Sequence, residues 1–177
     1  MINKQDILEL AESLFPKVVQ QRRHLHAHPE LSFVEFKTSD YIASQLDLLG
    51  IPYQRNFVKT GIVAHIKGIN PSSKVFAIRG DMDALPIKEK TDLDFASKNE
   101  GIMHACGHDV HTSSVLGAAA ILNRLKDQFE GTIKLIFQPG EEVLPGGASL
   151  MIKEGALENP KANAIIGQHV YPQFEAG

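Results

Sequence analysis

Four short polar segments hold the residues able to do chemistry. Asp81 and Asp83 stand in Gly80-Asp81-Met82-Asp83-Ala84-Leu85-Pro86, and Cys106 and His108 in His104-Ala105-Cys106-Gly107-His108-Asp109-Val110-His111. Glu141 and Glu142 close Gln138-Pro139-Gly140-Glu141-Glu142, and His169 lies in Gly167-Gln168-His169-Val170. Thiolate, imidazole and carboxylate are the usual zinc ligands, and imidazole with carboxylate also serves manganese, cobalt or nickel. Cys106-x-His108 sets two donors two residues apart, and the flanking Gly107 lets the backbone steer both toward one centre. Adjacent acids permit a division of labour. One binds a metal while its neighbour, pointing elsewhere, accepts the proton of a metal-bound water, whose pKa coordination brings to about 7.

Each motif alone has a plainer reading. Buried free cysteine is common and inert, paired glutamates are ordinary loop surface, Asp-x-Asp caps turns, and a lone histidine sits satisfied in many cores. Placement lifts them above that. Apolar spacing at Ile7, Leu10, Ala11 and Leu14 predicts a helix that Pro16 divides from a second one running to about Ala27. Phe36 to Leu49 predicts another, closed by Gly50. Tyr53–Val58, Gly61–Lys67 and Lys74–Arg79 read as strands, about 109–126 as a helix, Thr132–Phe137 as a strand, Gly147–Glu154 as a short helix and Ala162–Gln168 as a last apolar run. Strands alternating with helices imply an α/β layered sheet with parallel pairing, and Val75-Phe76-Ala77-Ile78 reads as a strand buried on both faces. In such sheets the carboxyl ends of strands and the adjacent helix starts share one edge, where ligands bind. All four segments fall at that edge.

Composition narrows the classes. The 177 residues are 43% hydrophobic, with 18 Lys+Arg against 21 Asp+Glu and a formal charge of −3. That is a globular chain with a core, not a disordered one, and neither a general nucleic-acid binder nor a basic membrane-surface protein. No apolar run approaches the ~20 residues needed to cross a bilayer. The polar N-terminus lacks signal-peptide features and the single cysteine cannot form an intrachain disulfide, so a cytoplasmic location is expected. No zincin helix, nucleophile elbow, Walker loop or dinucleotide fingerprint occurs. Six of the eight histidines fall in two clusters; His24, His26 and His28, near a helix end, read as capping or dipole-complementing groups.

In order along the chain, Arg22-Arg23-His24-Leu25-His26-Ala27-His28-Pro29-Glu30-Leu31, the Gly80–Pro86 segment, Met103–His111 and Gln138–Glu142 resemble one family closely. It is the di-metal amidohydrolase and metallopeptidase family of hippurate hydrolase, N-acetyl-diaminopimelate deacetylase, aminoacylases and auxin–amino acid conjugate hydrolases. The resemblance implies a three-layer α/β/α zinc-peptidase-like catalytic domain with a mostly parallel sheet. It places metal ligands on Cys106, His108, Glu142 and His169, the general base on Glu141, and on Asp83 the acid that orients a metal-site residue. His28-Pro29-Glu30 matches a signature segment with a structural or substrate-side role. Two divalent ions (Zn2+, Mn2+, Co2+ or Ni2+) and small N-acyl amino acid substrates are implied.

In that family a lid or dimerisation domain interrupts the catalytic domain, which then resumes and supplies a last histidine ligand. Residues 1–177 therefore correspond to the N-terminal portion of the catalytic domain. The piece alone is expected to be inactive, and homodimerisation is expected through the lid. Two other readings of the residues stand beside this one. One is a cysteine hydrolase using Cys106 with His104 or His108; the other is a catalytically dead piece that serves as an interaction module.

Overall fold

Helical spacing of apolar residues builds α1 (Lys4–Ala27) and α2 (Phe36–Leu49), followed by β1 (Tyr53–Phe57), β2 (Gly61–Lys67) and β3 (Val75–Asp81). Then come α3 (His108–Arg124), β4 (Thr132–Gln138), α4 (Gly147–Lys153) and β5 (Ala164–Gly167). The computed structural model describes residues 2–175. The five strands form one sheet in the order β1-β2-β4-β3-β5. β3 pairs parallel with β4 and β5, whereas β1–β2 and β2–β4 are antiparallel. The sheet is therefore α/β and mixed. Only three residues join β1 to β2, too few for the crossover a parallel pair needs.

Side chains alternate across the sheet and divide the core in two. Ile62, Ala64 and Ile66 of β2 and Leu135 and Phe137 of β4 meet Ile42 and Leu46 of α2 and Val115, Leu116 and Ala119 of α3. On the other face of the sheet, Val63 of β2, Ala77 of β3 and Ile136 of β4 pack on Met151 of α4 and on Ala156. Lys134 is fully buried on this second side, its Nζ donating to the carbonyls of Ala156 (2.8 Å) and Glu158 (2.7 Å). Helices thus cover both faces of the sheet, which makes three layers.

Two expectations about individual elements need correction. Pro16 does not divide the first helix; α1 runs unbroken through it. Pro16 and Glu12, whose carbonyl loses its partner, are both solvent-exposed, where a freed group costs least. The following turns are held by packing: Val18 sits so close over Gly117 of α3 that a Cβ there would lie 2.8 Å from it. Gln21 also donates to Gln45 of α2 at 3.1 Å. In β3, Phe76 is 41% exposed at the start of the strand, so this strand is not covered on both faces along its length.

Candidate metal centre

Parallel register puts the strand ends side by side. Asp81 pairs with Gln138 across β3–β4, and Arg79 with Gly167 across β3–β5. The residues that follow each strand, Asp83, Glu141–Glu142 and His169, therefore leave the sheet at one edge, and the start of α3 brings His108 to the same place. Gly107 caps α3 with φ +93°, a conformation costly for any residue with a Cβ, and a Cβ there would meet Val170 at 2.3 Å. This bend lets Cys106 and His108 face one centre.

His108 is buried and clamped by one nitrogen. Its Nδ1 lies 2.8 Å from the Asp83 carbonyl and 3.3 Å from the Asp83 carboxylate. That fixes the donor nitrogen and leaves Nε2 facing carboxylates of Asp81 and Glu142, each 3.7 Å away, and Glu141 at 4.0 Å. Cys106 Sγ lies 3.4 Å from His169 Nε2, and His169 Nδ1 donates to the Val170 carbonyl at 2.7 Å. His169 therefore turns its lone pair toward the thiol. Ligand atoms of Cys106, His108 and His169, and of His108, Glu141 and Glu142, each lie within 4.8 Å of one another. His108 Nε2 and Glu142 Oε1 are buried without a hydrogen-bond partner. An unpartnered buried polar atom costs roughly 1–3 kcal/mol, and a divalent cation between these atoms would satisfy both. The donor set and its orphaned atoms fit such an ion.

The electrostatics agree. Burial alone would raise the Asp83 carboxyl, but hydrogen bonds from His108, Ser32 (2.6 Å) and the backbone of Glu142 (3.0 Å) and Glu141 hold it down at about 2. Burial, then Glu142, Glu141 and Asp81, push the Cys106 thiol up to about 12. An activated cysteine nucleophile needs the opposite, an electropositive setting that lowers its pKa. Burial and the acids around Cys106 work against a nucleophilic thiolate, whereas a cation would draw off its proton.

Other residues of these motifs behave differently. Both His111 nitrogens are engaged, by Asp81 and by Val170 N, and the Asp81 carboxylate is also paired with Arg79. His104 is buried with neither nitrogen partnered, and burial pushes its pKa down to about 4. In the first cluster, His28 Nδ1 donates to the His24 carbonyl at 2.8 Å, the capping contact expected there. His26 is instead buried in an ion-pair network. Glu30 accepts from Thr38 N and Oγ1 (2.8 and 2.9 Å), which gives the His28-Pro29-Glu30 segment a structural role in capping α2.

Sequence reasoning missed Glu35. This buried carboxylate accepts from Gly140 N (2.8 Å), Thr60 Oγ1 (2.6 Å) and Phe33 N (2.9 Å), and so anchors the loop that carries Glu141 and Glu142. Gly140 has φ +59°, and a Cβ there would strike the Phe33 ring at 2.3 Å. Glu35 lies in no chemical motif. Its only sequence signal is an acid placed at the start of a helix, which every cap shares.

The model of peptidase family M20/M25/M40 matches residues 77–177. The chain belongs to this family. This M20 chain is 43% identical over 176 residues to an N-acyl-L-amino acid amidohydrolase of Geobacillus stearothermophilus, covering 99% of itself and 47% of that protein. It is 44% identical over 166 residues to an N-acetylcysteine deacetylase of Bacillus subtilis, covering 91% of itself and 42% of that protein. It superposes on the crystal structure of the Bacillus subtilis YXEP protein, a dinuclear metal-binding peptidase of the M20 family, with a TM-score of 0.86 and 44% identity. That match covers 92% of this chain and 45% of the other. The M20 chain thus spans less than half the length of these relatives. The resemblance read from the motifs, the α/β fold and hydrolase membership agree with these matches.

Proposed function

We propose that this M20 chain is the N-terminal portion of the catalytic domain of a metal-dependent amidohydrolase that cleaves the amide bond of N-acyl amino acids bearing acetyl, benzoyl or similar acyl groups. The observation that carries the reading is the pair of buried, unpartnered ligand atoms, His108 Nε2 and Glu142 Oε1, with Cys106 and His169 beside them. Relatives named as N-acyl amino acid amidohydrolase and N-acetylcysteine deacetylase support the substrate class.

Cys106, His108, Glu142 and His169 would hold two divalent cations, and their mixed soft and hard donors admit Zn2+, Mn2+, Co2+ or Ni2+. When bound, such ions polarise the scissile carbonyl and make water acidic enough to react at neutral pH. Glu141, the more exposed of the paired acids, takes the proton of the attacking water and returns it to the leaving amine. Asp83 touches no substrate. It holds His108 by Nδ1 and the Glu142 peptide by its N–H, and so sets both ligands. The rest of the protein supplies the lid, through which it forms a homodimer, and the last histidine ligand. A reducing cytoplasm keeps Cys106 free for metal.

The test is Glu141→Gln in the full-length protein. N-acetyl amino acid hydrolysis should fall by about 10²–10⁴-fold, the usual worth of a general base, with metal content unchanged by elemental analysis. The 177-residue chain alone should bind metal without turnover. Full activity in Glu141→Gln, or after complete metal stripping, would sink the reading.

A further inference from the structure

The sequence singles out His111 as one of a histidine cluster, and with Asp81 and His108 it forms a triad able to hold an ion. Its surroundings assign it otherwise. His111 is fully buried, with Nδ1 2.7 Å from Asp81 Oδ1 and Nε2 2.9 Å from the backbone nitrogen of Val170. A carboxylate only accepts, so Nδ1 carries the proton; a backbone N–H only donates, so Nε2 offers its lone pair to Val170. One tautomer satisfies both contacts, and it leaves no lone pair for a metal.

Asp81 is itself fixed. Arg79 pairs with its other oxygen, and Thr112 Oγ1 donates to its carbonyl at 2.6 Å. Arg79 in turn donates to Gln138 at 2.8 Å, at the end of β4. The chain of contacts thus runs from the frame of the sheet to one peptide unit, that of Val170. The same residue accepts through its carbonyl from His169 Nδ1 at 2.7 Å. That bond decides which nitrogen of His169 points at Cys106. His169 follows the end of β5 and is solvent-exposed, and besides the bond to Val170 it meets the His111 ring edge-on, 4.5 Å between centroids.

We infer that His111 is a positioning residue: through the Val170 N–H it holds His169 in line with Cys106, and so sets the affinity for the ion that those two share. The inference rests on the metal-site reading above. The relation resembles the outer contacts of metal sites in general, where loss of a group that orients a ligand costs about 10–100-fold in affinity.

The experiment is a Co2+ titration of the protein, with the thiolate-to-cobalt charge-transfer band reporting the ion at Cys106. His111→Gln keeps a carbonyl oxygen at the reach of Nε2 and can still accept from Val170. His111→Asn can donate to Asp81 but is too short to reach Val170. His111→Asn should weaken the thiolate-linked Co2+ affinity by about 10–100-fold, in the same direction as His169→Ala, while His111→Gln stays within about threefold of wild type. Hydrogen exchange at the Val170 amide, measured without metal, should be slow in wild type and His111→Gln and fast in His111→Asn.

Equal loss of affinity in the Gln and Asn variants would make His111 a direct ligand and overturn the inference. Equal Co2+ affinity in all forms, with only the unfolding midpoints lowered, would reduce His111 to a structural role and overturn it too. A wild-type protein showing no thiolate–cobalt band would instead overturn the metal reading, and this inference with it.

Discussion

Two buried histidines, His26 and His108, meet carboxylates in contrasting ways. His26 is filled at both nitrogens, Nδ1 2.8 Å from Asp109 and Nε2 3.2 Å from Glu89, with Arg22 also 2.8 Å from Asp109. His108 sits among four acids, Asp81, Asp83, Glu141 and Glu142, yet only Nδ1 is engaged and Nε2 stands 3.7 Å or more from the carboxylate oxygens it faces. Acids beside a buried histidine do not by themselves mark a metal ligand, since His26 has them too. What distinguishes the two is the unfilled lone pair, held in place by a contact on the opposite side of the ring. When protonated, His26 carries a charge that ties α1 to α3, whereas His108 aims at its centre an Nε2 that has no hydrogen-bond partner among the described residues.

The contrast can be broken most directly at His108. His108→Ala should lower metal affinity by more than the roughly 10–100-fold that an orienting contact is worth, as read by competition with a chromogenic chelator. Retention of wild-type affinity would remove His108 from the ligand set. His26→Ala should do the reverse. It leaves Asp109 buried without its histidine, and breaking a buried ion pair costs about 3–5 kcal/mol, visible in urea unfolding. Metal affinity should stay within about tenfold, since His26 touches no proposed ligand; a larger loss would merge the two sites into one.

A smaller effect should follow pH. The hydrogen bond to Asp109, against the opposing effect of burial, raises the His26 pKa above its ordinary value. An unfolded histidine titrates near 6.5, so the folded state binds the proton more tightly. The stabilisation is complete below pH 6.5 and is lost as pH rises through the raised folded value. Stability of metal-free protein should therefore fall from pH 6.5 upward, and fall less steeply in His26→Ala. His108, raised likewise by Asp83 and Asp81 against burial, contributes in both forms. Parallel pH slopes in the two proteins would show that His26 does not carry the charge assigned to it.

The elements were legible in the sequence because their signals are local. Gly50, placed from sequence at the end of the second helix, adopts φ +65° there. The expected strand over 61–67 is β2 to the residue. The polar motifs pointed to one sheet edge, and the register of β3 with β4 and β5 brings them there. Pro16 misled because the rule for proline concerns an isolated helix, and packing of α1 on α3 outweighs one lost bond. The role of His26 was not legible either. Its partners lie 63 and 83 residues away, on segments that no periodicity connects to it.

Residue type and spacing alone determined the kind of chemistry available here: a thiol, imidazoles and paired acids are metal ligands and proton acceptors wherever they stand, and their order along the chain carries the family. Which of them have a lone pair to give was decided only by the tertiary structure. A histidine is a ligand, a charged strut or a hydrogen-bonded pin according to what fills each of its nitrogens, and those partners come from distant parts of the chain. His108 with one nitrogen unfilled, His26 with both facing carboxylates and His111 held between a carboxylate and a backbone N–H are one residue type in three settings, and folding alone separates them.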